Sequence, residues 1–136
     1  MQRVYSLLVD NNSGVLNRIS GLFTRRGYNI DSITAGVTAD SRFTRITIVS
    51  SGDEIILSQI EKQIAKLEDV IVVKVLKPEE SVYRELILVK IRANAQQRSE
   101  IVSIADIFRA KIVDAERESL VIELTGTQSK LEAFLQ

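Results

Sequence analysis

The stretch Val4-Tyr5-Ser6-Leu7-Leu8-Val9-Asp10-Asn11-Asn12-Ser13-Gly14-Val15-Leu16-Asn17-Arg18-Ile19-Ser20-Gly21-Leu22-Phe23 decides how the first half of the chain folds. Val4 to Val9 is a nearly continuous apolar run, and Asp10 to Gly14 is polar and ends in glycine, which together read as a buried-type strand followed by a turn. Val15, Leu16, Ile19, Leu22 and Phe23 then fall on one stripe of a helix, with Asn17, Arg18, Arg25 and Arg26 on the other side. Arg25 and Arg26 suit the negative end of the helix dipole, and Gly27 stands where a left-handed cap is wanted, so the helix runs from about Gly14 to Arg26.

Downstream, Ile30 to Val37 and Phe43 to Val49 read as an antiparallel pair joined by Thr38-Ala39-Asp40-Ser41. Asp53 can cap a second helix, along which Leu57, Ile60, Ile64 and Leu67 recur with helical spacing. Val70 to Leu76 is a β-branched run too short for a helix, and Lys77-Pro78-Glu79-Glu80-Ser81 stops it with the only proline. The order is βαββαβ. From Val82 it begins again: a strand over Leu86 to Ile91, a helix carrying Ile101, Ile104, Ala105 and Phe108, a strand from Ile112, and a returning strand with Leu120, Ile122 and Leu124. Gly126 leads into a last helix. Ile19-Ser20-Gly21-Leu22-Phe23 matches Ile104-Ala105-Asp106-Ile107-Phe108, and Gly52, Leu57 and Ile60 match Gly126, Leu131 and Phe134, which indicates duplication.

The expected fold is α+β: two ferredoxin-like split βαβ units, each an antiparallel sheet with its helices on one face, over residues 1–77 and 78–136, the second (βαββα) stopping before its last strand. Both alternation faces of Val4 to Val9 are apolar, so the face away from the helices is expected to be covered by a second sheet or another chain, and the open edges invite dimerisation.

Composition narrows the chemistry. There is no His, Cys or Trp among 136 residues, which removes Ser-His-Asp and Cys-His nucleophiles, imidazole bases and the usual zinc ligands. Eighteen Lys+Arg against 18 Asp+Glu leave no net field to gather phosphate, so nucleic acid is not an expected partner. Phe43 is the one ring in Arg42 to Ile48, which counts against base stacking on this sheet. No apolar stretch approaches the roughly 20 residues that span a bilayer, and Met1-Gln2-Arg3 begins no signal core, so the expectation is a cytoplasmic protein without a membrane partner. Phosphate-binding glycine motifs and carboxylate metal loops are absent, so no metal or cofactor is expected in this chain.

Asp10 to Gly14 sets a polar loop on a helix N-terminus, where amide groups and the dipole favour a carboxylate, and Gly14 allows close approach. Asn29 offers an amide oxygen to an ammonium group; donors at one end and an acceptor at the other suit a free amino acid. The same residues also read as an ordinary helix start capped by Asn12 or Ser13, with Asn29 in a turn after Gly27. Arg25 and Arg26 are most simply dipole partners.

Asp10 to Leu16 followed by Leu22-Phe23-Thr24-Arg25-Arg26-Gly27-Tyr28-Asn29-Ile30-Asp31-Ser32-Ile33 resembles the regulatory small subunit of acetolactate synthase (acetohydroxyacid synthase), whose first half is an ACT domain. The resemblance extends through Gln59 to Gln63, Arg84 to Ile91, Ile107 to Asp114 and Thr125 to Phe134, essentially the whole chain. It implies a non-catalytic subunit that raises the activity of a large subunit dependent on thiamine diphosphate, FAD and magnesium. It also implies feedback inhibition by valine or another branched-chain amino acid, in the biosynthesis of valine, leucine and isoleucine. The effector is expected at the interface of a homodimer, against Asn11, Gly14, Val15 and Leu16 of one chain and the strand of Asn29 and Ile30 from the other. Asn94-Ala95-Gln96 stands in the second half where the first has its glycine loop, so no second pocket is expected there, and family members usually continue beyond this end with another strand. The alternatives are a free-standing ACT-type amino-acid sensor acting on another enzyme or on transcription, and a small enzyme using carboxylates.

Overall fold

The computed structural model describes residues 1–136. They form two compact units, Met1–Ser81 and Val82–Gln136. The first contains β1 (Gln2–Asp10), α1 (Val15–Arg26), β2 (Ser32–Val37), β3 (Phe43–Ser51), α2 (Glu54–Ala65) and β4 (Val70–Leu76), closed by a 3-10 turn at Pro78–Glu80. Its sheet has the order β2-β3-β1-β4, antiparallel throughout. The second contains β5 (Glu85–Arg92), α3 (Ala95–Ile107), β6 (Lys111–Ala115), β7 (Ser119–Gly126) and α4 (Gln128–Leu135), with the three-stranded order β5-β7-β6. Both are α+β, as the alternation of periods implied.

Register fixes which residues meet the helices. Tyr5 lies opposite Ile48 and Leu7 opposite Ile46, and these pack with Val9 against Val15, Ile19, Leu22 and Phe23 of α1 and Leu57, Ile60 and Ile64 of α2. Each such aliphatic side chain removed from water contributes about 1.5–3 kcal/mol, so the α1 and α2 stripes are what hold both helices on the sheet. Tyr5 is fully buried, and its hydroxyl donates to the Leu57 carbonyl at 2.7 Å, stitching β1 to α2. Burial pushes the Tyr5 pKa up to about 12. We expect Tyr5→Phe to keep the fold and lower stability by about 0.5–1.5 kcal/mol, read by urea unfolding, because one buried hydrogen bond is lost while the ring packing stays. No loss at all would mean that the hydroxyl is equally well served in the unfolded chain.

The end of α1 shows why Gly27 is where it is. Gly27 has φ 69°, its amide reaches the Thr24 carbonyl, and the Tyr28 amide reaches the Phe23 carbonyl at 2.9 Å, which is a Schellman closure. Phe23 and Tyr28 complete it edge to face, 5.9 Å between centroids. The same closure ends α3, with Arg109 at φ 58° and Ala110 bonded to Ala105. This corrects the internal match: Arg109 stands in the place of Gly27, so Ala105, not Phe108, is the counterpart of Phe23. Phe108 caps α3 and instead meets Phe134 edge to face at 5.2 Å.

The expected strand from Ile30 starts later, at Ser32. Polar side chains divert the approach: the Asn29 carbonyl accepts from Ser50 Oγ, and the Asp31 carboxylate accepts from Gln2, Asn29 and Ser51. Ile30 turns in and packs on the core. All six residues of β2 are exposed, Ile33 and Val37 included, although register puts them on the helix-facing side of the sheet. On the opposite side Val4 and Leu8 are half-buried, and Arg45 lies over Ser6, donating to its hydroxyl.

Candidate functional site

The four helix starts differ. Asp53 caps α2 by accepting from the Ile56 amide, Asn94 and Gln97 make a reciprocal capping box on α3, and Thr127 accepts from the Lys130 amide on α4. At α1 the capping position is Gly14, and no side chain caps the helix. The expected cap from Ser13 is therefore not formed, and Asn12 reaches only the Gly14 amide, at 3.4 Å. The Val15 amide donates to the Asn12 carbonyl at 3.5 Å, and the Leu16 and Asn17 amides of the first turn keep their capacity to bind an anion, reinforced by the dipole.

The loop that presents this helix end is fixed by its own side chains. Asn11 donates through Nδ2 to the Ser41 carbonyl and accepts through Oδ1 from Thr44, while its backbone amide donates to the Arg42 carbonyl. It thereby ties the loop to the β2–β3 turn, with one donor hydrogen and one acceptor lone pair still available. Asn12 donates to Asp69 at 3.3 Å and accepts from Arg18 at 2.9 Å, and Arg18 Nε also donates to Asp69. Arg18 and then Asn12 hold the Asp69 carboxyl below the usual carboxylate range.

Gly14 and Leu16 lie at the surface of this end of α1, Leu16 48% exposed, whereas the Val15 side chain is buried in the core and presents only backbone outward. Asn29 is exposed beyond the opposite end of α1, with Nδ2 donating to Asp31 at 2.5 Å, which leaves its oxygen as the acceptor for a cation. The 12 residues of α1 span about 18 Å at 1.5 Å each. Asn11, Gly14, Val15 and Leu16 are therefore brought together, and Asn29 and Ile30 are not: a free amino acid, well under 10 Å long, does not bridge the two groups within one chain.

Sequence reading missed Arg18 and Asp69. A signal for Arg18 was present, because helical side chains lean toward the N-terminus, so the residue four positions after a cap lies over it. A Cβ added to Gly14 would run into Arg18 Nη1: the space that glycine leaves is filled by this guanidinium, which corrects the expectation that it stands open for a ligand. Asp69 had no sequence signal, since it is close only through the β1–β4 pairing, where the Asp10 amide donates to the Asp69 carbonyl.

In the second unit the link from β5 to α3 is only Ala93 and Asn94, and the capping box occupies the Gln97 amide, whose counterpart in the first turn of α1 has no side-chain cap. An open concavity of about 410 Å³ in that unit, lined by Lys90, Arg92, Glu118 and Ser119, includes none of the candidate residues. No three Asp or Glu side chains come together as a metal site, and no helix is long and apolar enough to cross a membrane.

Comparison with known proteins agrees along the whole chain. Residues 5–72 match the AHAS small subunit-like ACT domain, and residues 84–136 match the family described as small subunit of acetolactate synthase. The chain is 46% identical over 135 residues to the acetolactate synthase small subunit of Haemophilus influenzae, covering 99% of this chain and 83% of that protein. The isozyme 3 small subunit of Escherichia coli gives the same identity and coverage. A crystal structure of the small subunit from Thermotoga maritima superposes with a TM-score of 0.92 at 42% identity, over 99% of this chain and 84% of that one.

Proposed function

The chain belongs to the family of acetolactate synthase small subunits, and from that premise we propose that it is the regulatory partner of a catalytic large subunit in the cytoplasm. It performs no reaction itself, raises the activity of the large subunit, and transmits feedback inhibition by valine or a related branched-chain amino acid. Thiamine diphosphate, FAD and magnesium reside on the large subunit.

The observation that carries the effector site is the α1 N-terminus, the only one of four without a side-chain cap, beside exposed Leu16. The carboxylate meets the amides near Gly14, the branched side chain meets Leu16, and the ammonium meets the Asn29 oxygen of a second copy. A two-fold axis that sets two α1 helices antiparallel places each Gly14 end beside the other Asn29 end, giving two equivalent sites. The exposed β2 edge, with Ile33 41% and Val37 61% exposed, supports pairing of two copies on that side.

The test is reconstitution. The chain alone should form no acetolactate from pyruvate with all cofactors present, should stimulate the large subunit, and should make it valine-sensitive. By light scattering it should be a dimer, and valine at about 100 times its Kd should stabilise it by about 2.7 kcal/mol, several degrees in Tm. Absence of both stimulation and a thermal response to valine, leucine or isoleucine would overturn the reading.

A further inference from the structure

We propose that Arg18 is the charged partner of the effector's carboxylate, held in place over Gly14 by Asp69 and Asn12. This rests on the effector reading above and adds a residue to it. Arg18 starts on the first turn of α1 and folds back across the helix start, where the absent Cβ of Gly14 makes room for it. Its Nε donates to Asp69 and its Nη2 to Asn12, so two of its five N–H groups fix the guanidinium while Nη1 stays beside Gly14. Its side chain is 52% exposed whereas that of Asp69 is 17% exposed, so at this ion pair the guanidinium, more than the carboxylate, is open to a ligand. A ligand carboxylate at the first-turn amides thus meets a cation already oriented, with parallel donors suited to two-point recognition. Asp69 is a positioning residue: it cancels the charge of Arg18 in the free protein and sets its angle, and it touches no ligand.

Ligand and residue can be altered together to test this. Valinamide keeps the side chain and the ammonium but replaces the carboxylate with a neutral amide. Calorimetry on the full chain should show wild type binding valine at least about tenfold more tightly than valinamide. Arg18→Gln should weaken valine about 10- to 100-fold and leave valinamide unchanged, so that the discrimination collapses. Arg18→Lys, which keeps charge but loses the fork, should fall between, and Asp69→Asn should lose discrimination in part. If Arg18→Gln keeps full discrimination, or weakens both ligands by the same factor, the arginine is only structural and the assignment is wrong. If wild type binds neither ligand, the effector reading itself falls, and Arg18 with it.

Discussion

Gly14→Asp should yield a holoenzyme that is still activated but no longer inhibited by valine, with the concentration for half-inhibition raised about 100-fold or more. The backbone of Gly14, at φ −117° and ψ −5°, lies in a region open to Asp, so the substitution brings no dihedral strain. Aspartate is also a preferred capping residue, and its carboxylate would bond the first-turn amides that α1 leaves without a side-chain cap. The new side chain therefore occupies the hydrogen-bonding position assigned to the effector's carboxylate. Its Cβ also displaces Arg18, whose guanidinium is the far end of a flexible side chain and moves readily, most simply into an ion pair with the new aspartate. Loss of binding should thus come with unchanged or slightly raised Tm. Feedback is a coupling free energy between two sites, typically about 1–3 kcal/mol, and emptying one site silences it without touching the other. Titration of reconstituted holoenzyme with valine, wild type against variant, decides the matter: a variant as valine-sensitive as wild type would remove the loop from the site.

The elements were legible wherever local periodicity and capping chemistry determined them. The α1 stripe of Val15, Ile19, Leu22 and Phe23, the Gly27 closure and the Asp53 cap are all local features, and each forms as its residues imply. What the sequence hid depends on positions far apart in the chain. Asp69 meets Arg18 only because β4 pairs with β1, and Asp31 gathers Gln2 and Ser51 only because β2, β3 and the start of β1 converge. Those side-chain bonds delayed β2 to Ser32 although Ile30 continued the apolar alternation. The duplication was visible but mis-registered, since Phe23 and Phe108 look alike, whereas the left-handed residues at the helix ends, Gly27 and Arg109, set the true correspondence. For the candidate site, the polar loop and Asn29 stood out by composition, but the separation between them did not, because residue spacing becomes distance only once α1 is known to be one unbroken helix.

That separation leads to the second large effect, which is complementation between two defective chains. Because about 18 Å of helix lies between Gly14 and Asn29 in one chain, the proposed site draws on the Gly14 end of one copy and the Asn29 end of another. Homodimers of Gly14→Asp and homodimers of Asn29→Ala should each bind no measurable valine. When the two are unfolded together and refolded in equal amounts, random pairing makes about half of the dimers mixed. In a mixed dimer both substitutions fall in one site, since the Gly14→Asp end of the first chain faces the Asn29→Ala end of the second. The other site then combines an intact Gly14 loop with an intact Asn29 and is wild type in every contact. Each mixed dimer should therefore bind one valine, and the mixture should recover about a quarter of the wild-type sites at unchanged affinity. Isolating the mixed dimer through two different affinity tags should raise the recovery to about one site per dimer. A site built within one chain predicts the opposite, because every chain in the mixture carries one defect and no pairing repairs it. Calorimetric stoichiometry of the purified mixed dimer separates the two arrangements, and a mixed dimer that binds no valine would refute the shared site even if each substitution behaved as expected alone.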